Sequence, residues 1–280
     1  MPEIPLLTLP VHESLLAARA AVRASARCSL DLGLTETEVS IERGGWRWGE
    51  RLFPYLDACR DHTVYYWAGE AFAPAARYSS ALIKLVPTSW GPPTFEIDGI
   101  KMLPSARVSP LIDAQRKVAL LHVRGKRILD CCAGLGYFAR ACLDDGATLV
   151  QSFEINPDVL WLRSLNPWSP DSPWSRVRSP LLALTNADVT RAIQALPAES
   201  FDAALHDPPR FAIAGELYSL AFYQQLSRVL RRQGMLFHYT GSPNRLSRGR
   251  DLSGEVIARL RQAGFDPRAH GDGIVAVKRR

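Results

Sequence analysis

Four acidic residues, Asp130, Glu154, Asp188 and Asp207, each stand where a short apolar run gives way to a polar turn. The first is followed by two glycines, Gly134 and Gly136, in the string Asp130-Cys-Cys-Ala-Gly-Leu-Gly-Tyr-Phe-Ala139. Glycine has no Cβ, so a turn at these positions can bend tightly and bring its backbone against a ligand. The helix expected after the turn directs unsatisfied N–H groups at the same place. The segment reads as a nucleoside-cofactor site. On spacing alone, Gly134-x-Gly136-x-x-Ala139 followed by Glu154 at a ribose-binding distance fits a dinucleotide as well as a sulfonium nucleoside.

Asp130 separates the two ligands. A carboxylate at the strand end repels a pyrophosphate and attracts a cation, so the expected ligand is positively charged, as S-adenosylmethionine (SAM) is at its methionine end. Asp188, in Thr185-Asn-Ala-Asp-Val189, precedes a helical stretch and can accept a hydrogen bond from an adenine amino group. Asp207 ends Phe201-Asp-Ala-Ala-Leu-His-Asp207 and leads into Pro208-Pro209-Arg210-Phe211. In an open parallel sheet the carboxyl ends of the strands line one crevice, so acids that are distant in sequence converge there.

This order of acids and glycines resembles the class I SAM-dependent methyltransferases over residues 109–280. The resemblance implies that Asp130, Gly134 and Gly136 hold the methionine part, Glu154 the ribose hydroxyls and Asp188 the adenine. The strings His206-Asp-Pro-Pro-Arg-Phe211, Ala214-Gly-Glu-Leu-Tyr-Ser219 and His238-Tyr-Thr-Gly241 are similar to an archaeal-type predicted methyltransferase group classed near spermine synthases, and that similarity takes in the N-terminal third. Two positions depart from the family pattern. Cys132 stands where Gly is frequent, and Arg210 replaces the aromatic that stacks on a base in Asn/Asp-Pro-Pro-aromatic enzymes.

Methyl transfer requires a nucleophile aligned with the S–CH₃ bond and, for many nitrogen acceptors, removal of a proton. Asp207, Pro208 and Pro209 suit both requirements, because the prolines fix the backbone while the Asp207 side chain and the Pro208 carbonyl can accept from an amino group. His206 and His238 read either as bases at the crevice or as structural hydrogen-bonding groups. Arg210, Phe211, His238 and Arg248 are the expected substrate contacts. Arg248 lies with Arg245 and Arg250 in a loop that either clamps phosphates or carboxylates, or is solvated with Asp251 capping the next helix. No metal is expected, because the six histidines are dispersed and form no His-x-x-x-His or His/Cys cluster.

The elements that must position these residues alternate. Strands are expected at 127–132, 148–153, 181–185, 202–206, 234–240 and 273–278, with helices at 137–144, 157–165, 189–195, 215–231 and 252–263. Such alternation predicts an α/β Rossmann-like, doubly wound, mostly parallel sheet of seven strands. A helix over 111–122 leads into it, carrying Asp113 and Lys117 four apart, a pairing that is usually an exposed salt bridge; the other reading, since this helix enters the site directly, is that one of the two caps the cofactor's methionine group. Upstream, the pattern predicts a helix from His12 to Arg27, a hairpin from the alternation around Leu30–Leu34 and Val39–Ile41, and strands at 81–86 and 94–102. The expected division is a β-rich accessory domain at 1–108 and a cofactor-binding catalytic domain at 109–280. Trp46, Trp48, Tyr65, Tyr66 and Trp67, interleaved with Arg43, Arg47 and Arg51, read more readily as a small β core than as a base-stacking face.

The 280 residues, 47% hydrophobic and 22% charged, have ordinary globular composition, which excludes a disordered chain. No apolar run is long enough to span a membrane, and a soluble cytoplasmic protein is expected. Five cysteines without a Cys-x-x-Cys pair argue against a disulfide framework. The formal charge of +6 is concentrated after residue 110, which gives RNA a place among the expected acceptors beside a protein side chain or a small amine. The leading expectation is therefore a SAM-dependent N-methyltransferase. Its rivals are a polyamine aminopropyltransferase of the spermidine/spermine synthase kind and a non-catalytic SAM-binding module. Nothing in the sequence indicates the oligomeric state.

Overall fold

Seven segments, all but the sixth rich in Val, Ile, Leu or Phe, pair into one sheet: β1 (Arg127–Asp130), β2 (Leu149–Glu154), β3 (Leu182–Asn186), β4 (Phe201–His206), β5 (Leu230–Tyr239), β6 (Phe265–His270) and β7 (Gly273–Lys278). The computed structural model describes residues 4–172, 179–211, 213–241 and 251–279. The strand order is β3-β2-β1-β4-β5-β7-β6. Strands β1 to β5 run parallel, and β7 is antiparallel to both β5 and β6. This is the Rossmann order with a reversed strand inserted beside β5, and the direction of winding changes between β1 and β4.

Helices cover both faces: α1 (Pro110–Ala119), α2 (Tyr137–Asp144), α3 (Pro157–Leu165), the short α4 (Val189–Ala192), α5 (Leu220–Val229) and α6 (Leu252–Gln262). Phe222, Tyr223, Leu226 and Val229 recur at helical spacing on α5 and pack with Leu129, Phe201, Leu236 and the α6 residues Val256 and Leu260. On the other face Val118, Leu121, Phe138 and Cys142 cover Ile128, Val150, Ala203 and Phe237. Burial on both sides is what makes the central strands β1 and β4 nearly continuous apolar runs.

The chain divides into two compact units, one of Met1–Pro110 with Trp161–Arg178 and the other of Leu111–Leu160 with Ser179–Arg280. The stretch after Leu160, expected within the second domain, thus belongs with the first unit. There Trp161 meets the Tyr66 ring edge-on and carries Arg77 at 3.9 Å over its face, while Trp168 Nε1 donates to the Leu32 carbonyl at 3.0 Å.

Small antiparallel sheets make up most of the first unit. Its helix ends at Ala20, short of the expected Arg27, because Ser25–Cys28 is a strand that pairs with Thr37–Ile41. The expected strand at Leu30–Leu34 is instead a turn: Asp31 accepts from Thr35 N and its hydroxyl, and Gly33 has φ +82°. Trp46, Tyr65 and Trp67 are buried, with Trp46 stacked on Phe53 at 4.7 Å, so these rings form a core. Among the described residues, no helix is long and apolar enough to cross a membrane.

Candidate active site

The point where the winding reverses lies between β1 and β4, and Asp130 pairs across it with Leu205, two residues before Asp207. Asp130 is fully buried, and its Oδ2 accepts from Ser152 Oγ of β2 at 2.9 Å. Ser152 is its register partner, so pairing within the sheet fixes where this carboxylate stands.

After β1 the chain turns at Gly134 and Gly136, with φ of +50° and +85°, values that a side chain strains. Gly136 is the N-cap of α2 and supplies no capping side chain. Glu154 at the end of β2 reaches back to this turn: Oε2 accepts from Gly134 N and Oε1 from Asn156 N, both at 2.9 Å. The structure thus brings Asp130, the glycine turn and Glu154 together at adjoining strand ends. Asp188 sits one strand further out, after β3. Its Oδ1 accepts from Thr190 N at 2.8 Å and Thr190 Oγ1 at 2.7 Å, so its observed role is to cap α4.

Cys132 reports on the electrostatics of the crevice. Burial, followed by the neighbouring Cys131 and the acids Glu154, Asp130 and Asp207, pushes its thiol far above the ordinary range. Three acids that are far apart in sequence therefore act on one side chain.

At Asp207 the structure adds a residue that helix spacing alone assigns to the surface. Lys117 of α1 is 6% exposed, and its ammonium lies 2.7 Å from Asp207 Oδ2 and 2.8 Å from Asp113 Oδ2. It also stands 4.6 Å from the centre of the Tyr239 ring. Burial opposes the charge on Lys117, but Asp207 and Asp113 outweigh burial and hold the ammonium protonated to unusually high pH. The Asp113–Lys117 pair is accordingly not the exposed salt bridge expected from its spacing. Its helix neighbours Ala114, Val118 and Leu121 are all buried, so Lys117 stands on the inner side of its helix.

The turn after β4 is braced from the short helical turn Gly215–Tyr218 downstream. Tyr218 OH donates to the Pro209 carbonyl at 2.9 Å, and the Phe211 ring packs edge-on to Tyr218 at 5.4 Å. Pro208 is buried, Pro209 partly so, and Arg210 is exposed. Burial, then Asp207, Cys132 and Tyr239, raises the Tyr218 phenol, so it acts as a donor. Arg248 and its neighbours Arg245 and Arg250 lie outside the described residues.

The histidines are placed differently from a pair of crevice bases. His206 and His238 are both fully buried, with ring centres 4.5 Å apart. His206 Nε2 donates to the Leu217 carbonyl at 2.8 Å, and burial lowers its pKa to about 4. His238 Nδ1 donates to the Tyr239 carbonyl and Nε2 accepts from Tyr223 OH, each at 2.8 Å. Burial, and then His206, keeps that imidazole neutral as well. The base role expected for His206 and the substrate contact expected for His238 are corrected on this ground: neither ring offers a nitrogen to solvent, and both tie strand ends to α5 and the turn before it.

Comparison with known proteins agrees with the architecture. No family model matches the chain. A solved spermidine synthase in complex with the transition state analogue AdoDATO superposes with a TM-score of 0.56 at 15% identity, over 72% of each chain. The spermidine synthase of Thermotoga maritima gives 0.54 at 16% identity, covering 72% of this chain and 70% of that one. This likeness is one of fold, the Rossmann-like fold common to class I SAM-dependent methyltransferases and spermidine synthases. A sequence relative goes further, at 40% identity over 223 residues that cover 78% of this chain and 74% of the relative. The chain belongs to the family of that relative, the uncharacterized protein MJ1233 of Methanocaldococcus jannaschii.

Proposed function

We propose that this protein is a SAM-dependent methyltransferase that modifies a nitrogen held against Asp207, Pro208 and Pro209. The observation that carries the reading is that Glu154 is bound to the Gly134 turn and Asp130 ends the adjoining strand, with Asp207 two residues beyond Leu205, the register partner of Asp130, at the winding reversal where ligands of open α/β sheets bind. The residues present fit the cofactor. The carboxylates suit a sulfonium and an ammonium, Glu154 presents a charged acceptor at ribose distance from the turn, and Asp188 stands one strand further for adenine. When bound, SAM supplies an electrophilic methyl group.

The chain's own residues supply position. Asp207 is tied through Oδ2 alone; among the described residues Oδ1 takes no hydrogen bond, leaving it to accept the N–H of the incoming nitrogen. Pro208 and Pro209 stiffen the turn, and Tyr218 fixes the Pro209 carbonyl. Arg210, exposed beside them, and Phe211, packed on Tyr218, would border the acceptor. The acceptor class is open between RNA, a protein side chain and a small amine. The basic charge of the second half supports RNA, whereas Asp113 and Asp207 give the acceptor corner itself an acidic character.

Calorimetry with SAM, S-adenosylhomocysteine and NAD tests the reading. Binding of the first two is expected; NAD binding with indifference to both would overturn it. A second reading is favoured by the spermidine synthase fold and by the same acidic corner: aminopropyl transfer from decarboxylated SAM to a polyamine. Product analysis with putrescine and spermidine separates it from methyl transfer.

A further inference from the structure

Lys117 comes 90 residues before Asp207, on a helix that carries none of the sequence motifs, yet it is the residue that holds the Asp207 side chain. Its side chain is 7% exposed, against 18% for Asp113 and 23% for Asp207, so the ammonium is the inner member and the carboxylates face outward from it. Two carboxylates meet one ammonium. The group therefore carries a net negative charge, and only the ammonium keeps the two carboxylates from repelling each other across a short gap. Other titratable groups close the corner: Tyr239 lies against Lys117 from β5, and Tyr218 and Cys132 face Asp207. Asp272 also acts on Tyr239.

We propose that Lys117 is a positioning residue of the acceptor site, clamping Asp207 Oδ2 so that Oδ1 is presented to the nitrogen nucleophile, with Asp113 setting the charge balance of the clamp. This rests on the methyltransferase reading above. A lysine that served only to fill and neutralise the core would affect folding and cofactor affinity together. A clamp acts on the acceptor side: it leaves the β1–β2 cofactor acids alone and controls a carboxylate on β4. It also predicts that the second carboxylate becomes harmful once the ammonium is gone, since two like charges are then left facing each other in a half-buried corner.

The test uses the full chain and the variants Lys117→Met, Lys117→Arg, Asp113→Asn, Asp207→Asn and the double variant Lys117→Met/Asp113→Asn. Three measurements are made: SAM affinity by calorimetry, methyl incorporation from labelled SAM into the RNA, protein and small-molecule fractions of cell extract, and the pH dependence of the Lys117 ¹⁵Nζ resonance. Lys117→Met is expected to bind SAM within about threefold of the parent while incorporation drops roughly 100-fold, the scale of a misplaced reacting group. Adding Asp113→Asn should restore incorporation at least about fivefold, a coupling that independent sites do not show. Asp207→Asn should lower the pH at which the Lys117 ammonium signal is lost, because burial is then opposed by one carboxylate where there were two.

Incorporation unchanged in Lys117→Met, or a loss that Asp113→Asn does not relieve, overturns the proposal. So does an ammonium titration that Asp207→Asn leaves in place. Should Lys117→Met fail to fold, Lys117→Arg and the ammonium titration carry the same decision. If the parent protein binds no SAM, the methyltransferase reading falls and the positioning role with it, while the titration still reports whether Lys117 and Asp207 are coupled.

Discussion

At the scale of single residues, the carboxylates divide by what already occupies them. Glu154 spends both oxygens on backbone N–H groups, one in the glycine turn and one at Asn156, so its charge shapes the turn before any ligand arrives. Glu154→Ala removes two charge-assisted bonds, each worth about 1.5–3 kcal/mol. SAM affinity by calorimetry should weaken at least about tenfold, and Glu154→Gln, which keeps one oxygen acceptor, should lose less; equal affinity in the alanine variant would show that the turn does not depend on this acid. Asp130, Gly134, Gly136 and Glu154 were legible in the sequence because each closes or follows an apolar strand, and a parallel sheet brings such positions to one edge. Lys117 was not. Asp113 is its partner within the helix, but its second partner, Asp207, is 90 residues away, and spacing within one helix carries no information about that. The same limit applies to His206 and His238: a histidine at a strand end gives no sign of whether its ring turns toward the crevice or into the core, and here both turn inward.

At the scale of elements, the helices and the five parallel strands were readable from period and composition, and the missing strand has a physical reason. β6 contains Pro267, which removes a ladder donor and argues against a central strand. It is tolerated because β6 is the last strand of the sheet, bonded on one side to β7 alone. The pairing of β7 with β5 is close at its start: a Cβ on Gly273 would lie 2.6 Å from the Phe237 ring and 2.8 Å from the His238 carbonyl. Gly273→Ala should therefore cost about 1–3 kcal/mol through overpacking, seen as a lower midpoint in urea. Gly271 has open space around it and only a left-handed backbone to satisfy, so Gly271→Ala should cost about 1 kcal/mol. Equal losses at the two sites would show that backbone strain, and not the fit of β7 against β5, governs this end of the sheet. In the first unit the sequence misled, because period-two alternation around Leu30–Leu34 mimics a strand while Asp31 and Gly33 make it a turn.

At the scale of the whole molecule, the two buried imidazoles tie stability to pH. Both have folded-state pKa values below the ordinary 6.5, and His206 sits at about 4. The unfolded chain then binds more protons than the folded one below that ordinary value, so the contribution is complete above pH 6.5 and is lost as pH falls toward 4. For His206 alone this amounts to about 3 kcal/mol, with His238 adding in the same direction. Chemical denaturation at about pH 7.5 and about pH 5 should show the decline, and His206→Met should flatten it even if the variant is less stable throughout; an unchanged slope would assign the acid sensitivity to other groups. The excursion at Trp161–Arg178 bears on how the polypeptide can be dissected. The chain leaves the second unit at Leu160, supplies Trp161 and Trp168 to the first, and re-enters at Ser179. A gene cut at codon 110 would strand two tryptophans without the partners they meet in the intact chain. A stretch of the first unit is thus written into the sequence of the second, and any shuffling of the second unit onto another scaffold has to bring that stretch along or replace it with a linker.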